Sequence, residues 1–257
     1  MEFDSRTETF DSILNGAVWL VQPRAGYRFS LDAILLASFA HPRQRDRLLD
    51  LGAGCGVIAT IVAITRRPRE VVAIEIQTDL AELARRNFAF NQLAHATAIA
   101  ADLRARKIAG AAPGSFDYVV ANPPYHALRR GRESPNASRH VARGAGGASI
   151  RDFIAAASRY ATGNGRVAMI FPASRCADLL VELRAKSLEP KRLRFVQPYA
   201  ESPATLIMVE ARKGAGVEGK VAPPLIVWQK PGVYTDEARG ILDDAGANPF
   251  AKVWGRV

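Results

Sequence analysis

Leu48-Leu49-Asp50-Leu51-Gly52-Ala53-Gly54-Cys55-Gly56 is the stretch that decides the fold. Its opening residues read as a strand that runs straight into a glycine loop. The glycines permit a tight turn and a close approach of the backbone to a ligand. A helix N-terminus follows. Glu75 closes the next strand, 19 residues past Gly56, where a carboxylate can accept both hydroxyls of an adenosine ribose. Asp102 closes a third strand. A nicotinamide dinucleotide site is one reading, but the loop is Gly-x-Gly-x-Gly, with Val57 where that fingerprint can place its last glycine.

Working outward, strands and helices alternate from residue 47. Strands are predicted over 47–51, 71–75, 97–101, 116–121 and 166–171. Helices are predicted over 56–66, 79–93, 150–161 and 175–186, the second carrying Leu80, Leu83, Ala84 and Phe88 at helical spacing. Residues 193–196 and 205–210 read as a closing antiparallel pair, and residues 224–228 and 235–243 as a terminal strand and helix. The alternation predicts an α/β chain with a mostly parallel sheet covered by helices. Ahead of it, residues 10–30 read as a hairpin or extended segment and residues 31–39 as a helix capped by Ser30. Residues 1–9 are expected to be disordered. Residues 10–45 form an N-terminal segment. Residues 46–257 form the main domain, with a Gly- and Arg-rich loop over 126–148 and a C-terminal extension.

Asn122-Pro123-Pro124-Tyr125 follows the fourth of these strands. The end of a buried strand is where an open α/β sheet puts its chemistry. These residue types suit the holding of a planar, neutral NH2 group. The Asn122 side-chain oxygen accepts one N–H. The prolines donate nothing, so the carbonyls there, that of Pro123 in particular, are free to accept. Tyr125 offers a flat face on which a ring can stack. A proline-rich turn that merely closes a strand is the bland alternative.

Net charge is +10 and unevenly placed. Residues 1–128 hold 14 Lys/Arg against 13 Asp/Glu, and residues 129–257 hold 21 against 12. The excess begins just after Tyr125, which points to a polyanionic substrate. Arg129, Arg130, Arg132, Arg139 and Arg143 lie within fifteen residues, opposed by Glu133 alone, with His126 and His140 as further phosphate or loop contacts. The longest strongly apolar stretch, 57–64, is too short to span a bilayer. The acidic, polar start MEFDSRTETFD does not read as a secretory signal. Cys55 and Cys176 have neither metal nor disulfide-framework spacing. A cytoplasmic enzyme with no metal and no membrane contact is expected.

Asp50-Leu-Gly-Ala-Gly-Cys-Gly, Glu75, Asp102 and Asn122, at four successive strand ends, resemble the class I methyltransferase motifs in order. Asn122–Tyr125 resembles the signature of S-adenosylmethionine-dependent enzymes that methylate adenine, guanine or glutamine amides. Gln22-Pro23-Arg24-Ala25-Gly26-Tyr27-Arg28-Phe29-Ser30-Leu31-Asp32-Ala33 resembles the segment preceding the sheet in bacterial tRNA(Val) adenine-N6 methyltransferases, and Arg139-His140 matches a pair that this family carries after its Asn-Pro-Pro-Tyr. The loop Ala-Leu-Arg-Arg-Gly-Arg after His126 departs from it in being unusually basic.

The resemblance implies a Rossmann-like fold with a mostly parallel seven-stranded sheet and an antiparallel closing strand. It implies S-adenosylmethionine as cofactor, held by Tyr27, Arg28, Phe29, Asp32, Asp50, Gly52, Gly54, Gly56, Glu75, Asp102 and Asn122. It implies a tRNA adenine as acceptor, placed by Asn122, Pro123, Pro124 and Tyr125, with the basic loop on the RNA. Three rivals remain: a protein glutamine N5-methyltransferase, another RNA base amino-methyltransferase, and an RNA-binding protein on a methyltransferase fold that has lost activity.

Overall fold

The computed structural model describes residues 4–25, 28–125 and 147–243. The chain opens with a hairpin, β1 (Glu8–Ile13) antiparallel to β2 (Val18–Pro23), turned by Leu14, Asn15 and Gly16 in the left-handed region. The expected disorder of residues 1–9 therefore fails from Asp4 onward. The Asp4 carboxylate organises a turn by accepting from Arg6 and Thr7, and Glu8 pairs with Arg86. Helix α1 (Leu31–Phe39) follows, with Ser30 as its extended N-cap residue.

Then come β3 (Arg47–Leu51), α2 (Val57–Thr65), β4 (Glu70–Glu75), α3 (Thr78–Phe90), β5 (Ala96–Ala100), β6 (Phe116–Ala121), α4 (Ile150–Tyr160), β7 (Ala161–Pro172), α5 (Cys176–Ala185), β8 (Leu188–Gln197) and β9 (Leu206–Lys213). Short strands β10 (Lys220–Val221), β11 (Leu225–Ile226), β12 (Trp228–Lys230) and β13 (Val233–Tyr234) lead to α6 (Asp236–Asp243).

The sheet runs β10-β8-β9-β7-β6-β3-β4-β5, with β11 also on β8. Strands β5, β4, β3, β6 and β7 are parallel, and β9 lies antiparallel between β7 and β8. The expected seven strands are present, and β10 and β11 extend the sheet to nine by pairing parallel with β8. β11 falls within the strand expected over 224–228, whereas β10 was not expected, because a two-residue strand leaves no periodic signal in a sequence.

Side chains alternate across the sheet, as strand geometry requires. Leu48, Val71, Tyr118 and Val120 face a core shared with α1, α2 and α3. Leu49, Leu51, Val72 and Val119 face a second core closed by α4 and α5. Helix α2 is apolar all round because it is buried between α1, α3 and the sheet. Helix α4 starts in a capping box, in which Ser149 and Asp152 satisfy each other's backbone N–H. Fully buried Arg194 on β8 makes two 2.8 Å bonds to Glu237, fastening α6 to the sheet.

Candidate active site

Three adjacent strand ends converge. Leu51 on β3 sits opposite Ile74 on β4 and Ala121 on β6, so the glycine loop, Glu75 and Asn122 leave neighbouring strands side by side. Strand spacing puts these backbones about 5 Å apart.

The loop is pinned to β4 by Gly52 N and Ala53 N, both donating to the Ile74 carbonyl at 2.8 and 3.1 Å. Gly52, Gly54 and Gly56 all have positive φ, at 69°, 57° and 81°. Packing adds a second demand. A Cβ on Gly56 would meet Ala84 at 3.0 Å and Phe88 at 3.1 Å, and one on Gly52 would meet the Phe153 ring at 2.9 Å. Asn87 on α3 fastens the arrangement from below. Its side chain donates to the carbonyls of Cys55 (2.9 Å) and Val21 (3.0 Å) and accepts from Val21 N (2.7 Å). One buried amide thus ties the hairpin, the loop and α3 together. The sequence reading missed it, although an Asn on the apolar stripe of a helix is a visible signal.

Glu75 is buried, with Oε2 accepting from Gly54 N at 2.9 Å and Oε1 from Gln77 N at 3.0 Å. Gln77 Nε2 adds a longer bond to Oε1 at 3.4 Å, so of a carboxylate's roughly four acceptor sites one is open and one is held only by this long contact. Ile76, just past the end of β4, is 56% exposed, an apolar face that the reading did not single out.

Asp50 has a different place from the one expected. It is fully buried beneath the loop, where Oδ2 accepts from Ala59 N in the first turn of α2 at 3.1 Å. It therefore supports the loop from underneath and presents no surface to a cofactor. Burial, reinforced by the charge of Glu75, pushes its carboxyl up to about 7 despite the Ala59 bond. Burial likewise pushes the Cys55 thiol up to about 12.

Asp102 caps its own turn. Its oxygens accept from Arg104 N at 2.8 Å and from the Arg104 guanidinium at 2.7–3.0 Å, which holds the carboxyl below its ordinary range. Arg28 turns to the hairpin, donating to Thr9 at 2.7 Å and pairing with Asp11 at 3.2 Å, so its guanidinium is committed away from the loop. Phe29 is partly buried against the first core, its N–H held by the buried Gln22 side chain at 3.0 Å. Gln22 was another residue the reading left without a role.

Pro123 is buried and Pro124 exposed, with Asn122 and Tyr125 between these extremes. The Tyr125 hydroxyl lies 2.8 Å from Asp32 Oδ2 and 3.1 Å from Asn122 Oδ1, so Asp32, on α1, joins the Asn-Pro-Pro-Tyr turn. The Tyr125 ring meets Phe171 edge-on, with centroids 6.1 Å apart. Tyr27, His126, Arg129, Arg130, Arg132, Arg139, His140 and Arg143 lie outside the described residues. Among the described residues no group of three or more His, Cys, Asp or Glu could hold a metal, and no helix is long and apolar enough to cross a membrane.

A parallel sheet with helices on both faces, an antiparallel strand between β7 and β8, and a glycine loop after β3 define a Rossmann-like class I methyltransferase. The chain belongs to the methyltransferase small domain family, whose sequence model matches residues 31–174. It is similar to a tRNA1(Val) (adenine(37)-N6)-methyltransferase of Aeromonas hydrophila, at 28% identity over 83% of this chain and 87% of that one. It is also similar to one of Glaesserella parasuis, at 31% identity over 68% and 78%. Among solved structures it resembles an Agrobacterium tumefaciens protein described as a predicted O-methyltransferase, at 25% identity and TM-score 0.66 over 84% of this chain and 97% of that one. S-adenosylmethionine is the cofactor of this enzyme class, and the cradle of three positive-φ glycines beside a buried carboxylate with an open acceptor site fits it.

Proposed function

We propose that the chain methylates the exocyclic 6-amino group of an unpaired adenine in tRNA, beside the anticodon, in the cytoplasm. The observation that carries this reading is Asn122-Pro123-Pro124-Tyr125 emerging from β6 beside the glycine loop of β3.

Glycines 52, 54 and 56 let the loop backbone approach the cofactor, and the Glu75 carboxylate receives the ribose hydroxyls at its open site and in place of the long Gln77 Nε2 contact. The exposed face of Ile76 supplies apolar contact for the adenine ring. When bound, S-adenosylmethionine supplies an electrophilic methyl group. An exocyclic amine is a weak nucleophile because its lone pair is delocalised into the ring. Asn122 Oδ1 and the Pro123 carbonyl, as acceptors, favour the pyramidal nitrogen that forms as that lone pair attacks. Positioning supplies most of the acceleration, with no strong base required. The surplus proton leaves the nitrogen for water, and no step calls for a metal. The target base must be unpaired or flipped out to enter, and the Tyr125 ring, held against Phe171, gives it a stacking partner.

A glutamine amide in a protein would fit the same acceptors. Two observations favour tRNA: the excess of 21 Lys/Arg over 12 Asp/Glu in residues 129–257, and the names of the similar proteins from Aeromonas and Glaesserella. The basic stretch that holds Arg129, Arg130, Arg132, Arg139 and Arg143 would then grip phosphates, with His126 and His140 beside them.

The cofactor half is tested by titrating S-adenosylmethionine into Glu75→Ala. Loss of charge-assisted bonds should weaken binding by about 1.5–3 kcal/mol, with the fold retained. Unchanged affinity removes Glu75 from the site.

A further inference from the structure

The hydroxyl of Tyr125 stands between two oxygens, 2.8 Å from Asp32 Oδ2 and 3.1 Å from Asn122 Oδ1. A phenol has one proton and can donate it to only one of them. The carboxylate is both the nearer and the stronger acceptor. Asp32 is also held in place. It sits in the first turn of α1, whose residues from Ala33 to Phe39 are buried, and it reaches Tyr125 across 93 positions of sequence. The phenol ring is fixed from its other side by Phe171.

The consequence falls on Asn122. A Tyr125 proton donated to Asn122 Oδ1 would take one of the two lone pairs of the oxygen that the acceptor amine needs, turn that oxygen toward Tyr125 and weaken it as an acceptor. A proton drawn to Asp32 instead leaves the Tyr125 oxygen facing Asn122 with lone pairs. The carboxamide can then turn its NH2 to Tyr125 and its oxygen to the substrate.

We infer that Asp32 is a positioning residue for methyl transfer: it holds the Tyr125 proton and so keeps Asn122 Oδ1 available to the acceptor amine. This differs from a role for Asp32 in gripping the cofactor. It rests on the proposed reading of Asn122 as the group that faces the amine.

Asp32→Asn, Tyr125→Phe and the double variant test it. Asp32→Asn should lower kcat on tRNA about tenfold, the scale of one hydrogen bond, while S-adenosylmethionine affinity stays within twofold. In the Tyr125→Phe background, which has no proton to misdirect, the same substitution should change kcat less than twofold. An equal loss in both backgrounds, or a more than tenfold loss of cofactor affinity, overturns the inference. A second measurement needs neither cofactor nor tRNA. The Tyr125 Cζ resonance, assigned in 13C-tyrosine spectra by its loss in Tyr125→Phe, should move in Asp32→Asn at fixed pH. A resonance that stays put overturns the contact. A parent protein that methylates no tRNA would instead count against the proposed function, and the spectrum would still decide the Asp32–Tyr125 contact on which the inference stands.

Discussion

Asp50 shows how one residue can keep its sequence signature and change its meaning. An aspartate just ahead of a glycine loop reads as a ligand-binding group, yet here it lies beneath the loop and steadies the start of α2. Its carboxyl is pushed from an ordinary 3.8 up to about 7, so the folded chain holds a proton that the unfolded chain releases. A folded-state value raised above the unfolded one gives a contribution that is full below about pH 4 and lost as pH rises through about 7. Asp50→Asn removes this dependence while keeping an acceptor for Ala59. Measured by denaturant unfolding, the stability of Asp50→Asn relative to the parent should climb between pH 4 and 7 by on the order of 3 kcal/mol. A flat difference across that range would mean that Asp50 ionises normally. Asp102 and Arg28 make the same point: each stands where the motif predicts, but its charge is already engaged, with Arg104 and with Asp11.

At the level of elements, much was legible because local rules and tertiary demands agree. Residues 47–51 and 116–121 form strands and residues 31–39 a helix with the predicted bounds. The glycine loop was legible because its backbone needs φ values that other residues resist. What stayed hidden depended on partners far away in sequence. The insertion of β9 between β7 and β8, the extra edge strands on β8, and the Asn87 and Gln22 brackets are all set by tertiary contacts. Gly56 concentrates the local demand, combining φ of 81° with the nearness of Ala84 and Phe88. Left-handed strain of about 1–2 kcal/mol and displacement of α3 should add in Gly56→Ala. Its unfolding midpoint should fall, and cofactor affinity should fall with it, as read by calorimetry. A variant with parental stability would mean that the loop relaxes freely.

Across the whole molecule, charge is unevenly divided. Residues 1–128 are close to neutral and contain the glycine loop, Glu75 and Asn122, whereas residues 129–257 carry a net of +9. RNA binding by the second half should release counterions and weaken as salt rises. Replacing Arg129, Arg130 and Arg132 with Ala should weaken tRNA binding and flatten the log–log salt slope by roughly one unit for each phosphate no longer neutralised. An unchanged slope would mean that these arginines only solvate the surface.

The central claim joins the two halves: an Asn-Pro-Pro-Tyr turn that holds an adenine amine, supplied by a basic surface that holds tRNA. Mass spectrometry of nucleosides from tRNA incubated with the purified protein and S-adenosylmethionine tests it most directly. The predicted result is N6-methyladenosine with the parent protein and a drop of about 10²–10³-fold with Asn122→Ala, whose cofactor affinity should be little changed. Methyl transfer to a glutamine side chain with none to tRNA, or more than a tenth of parental turnover in Asn122→Ala, would contradict the account.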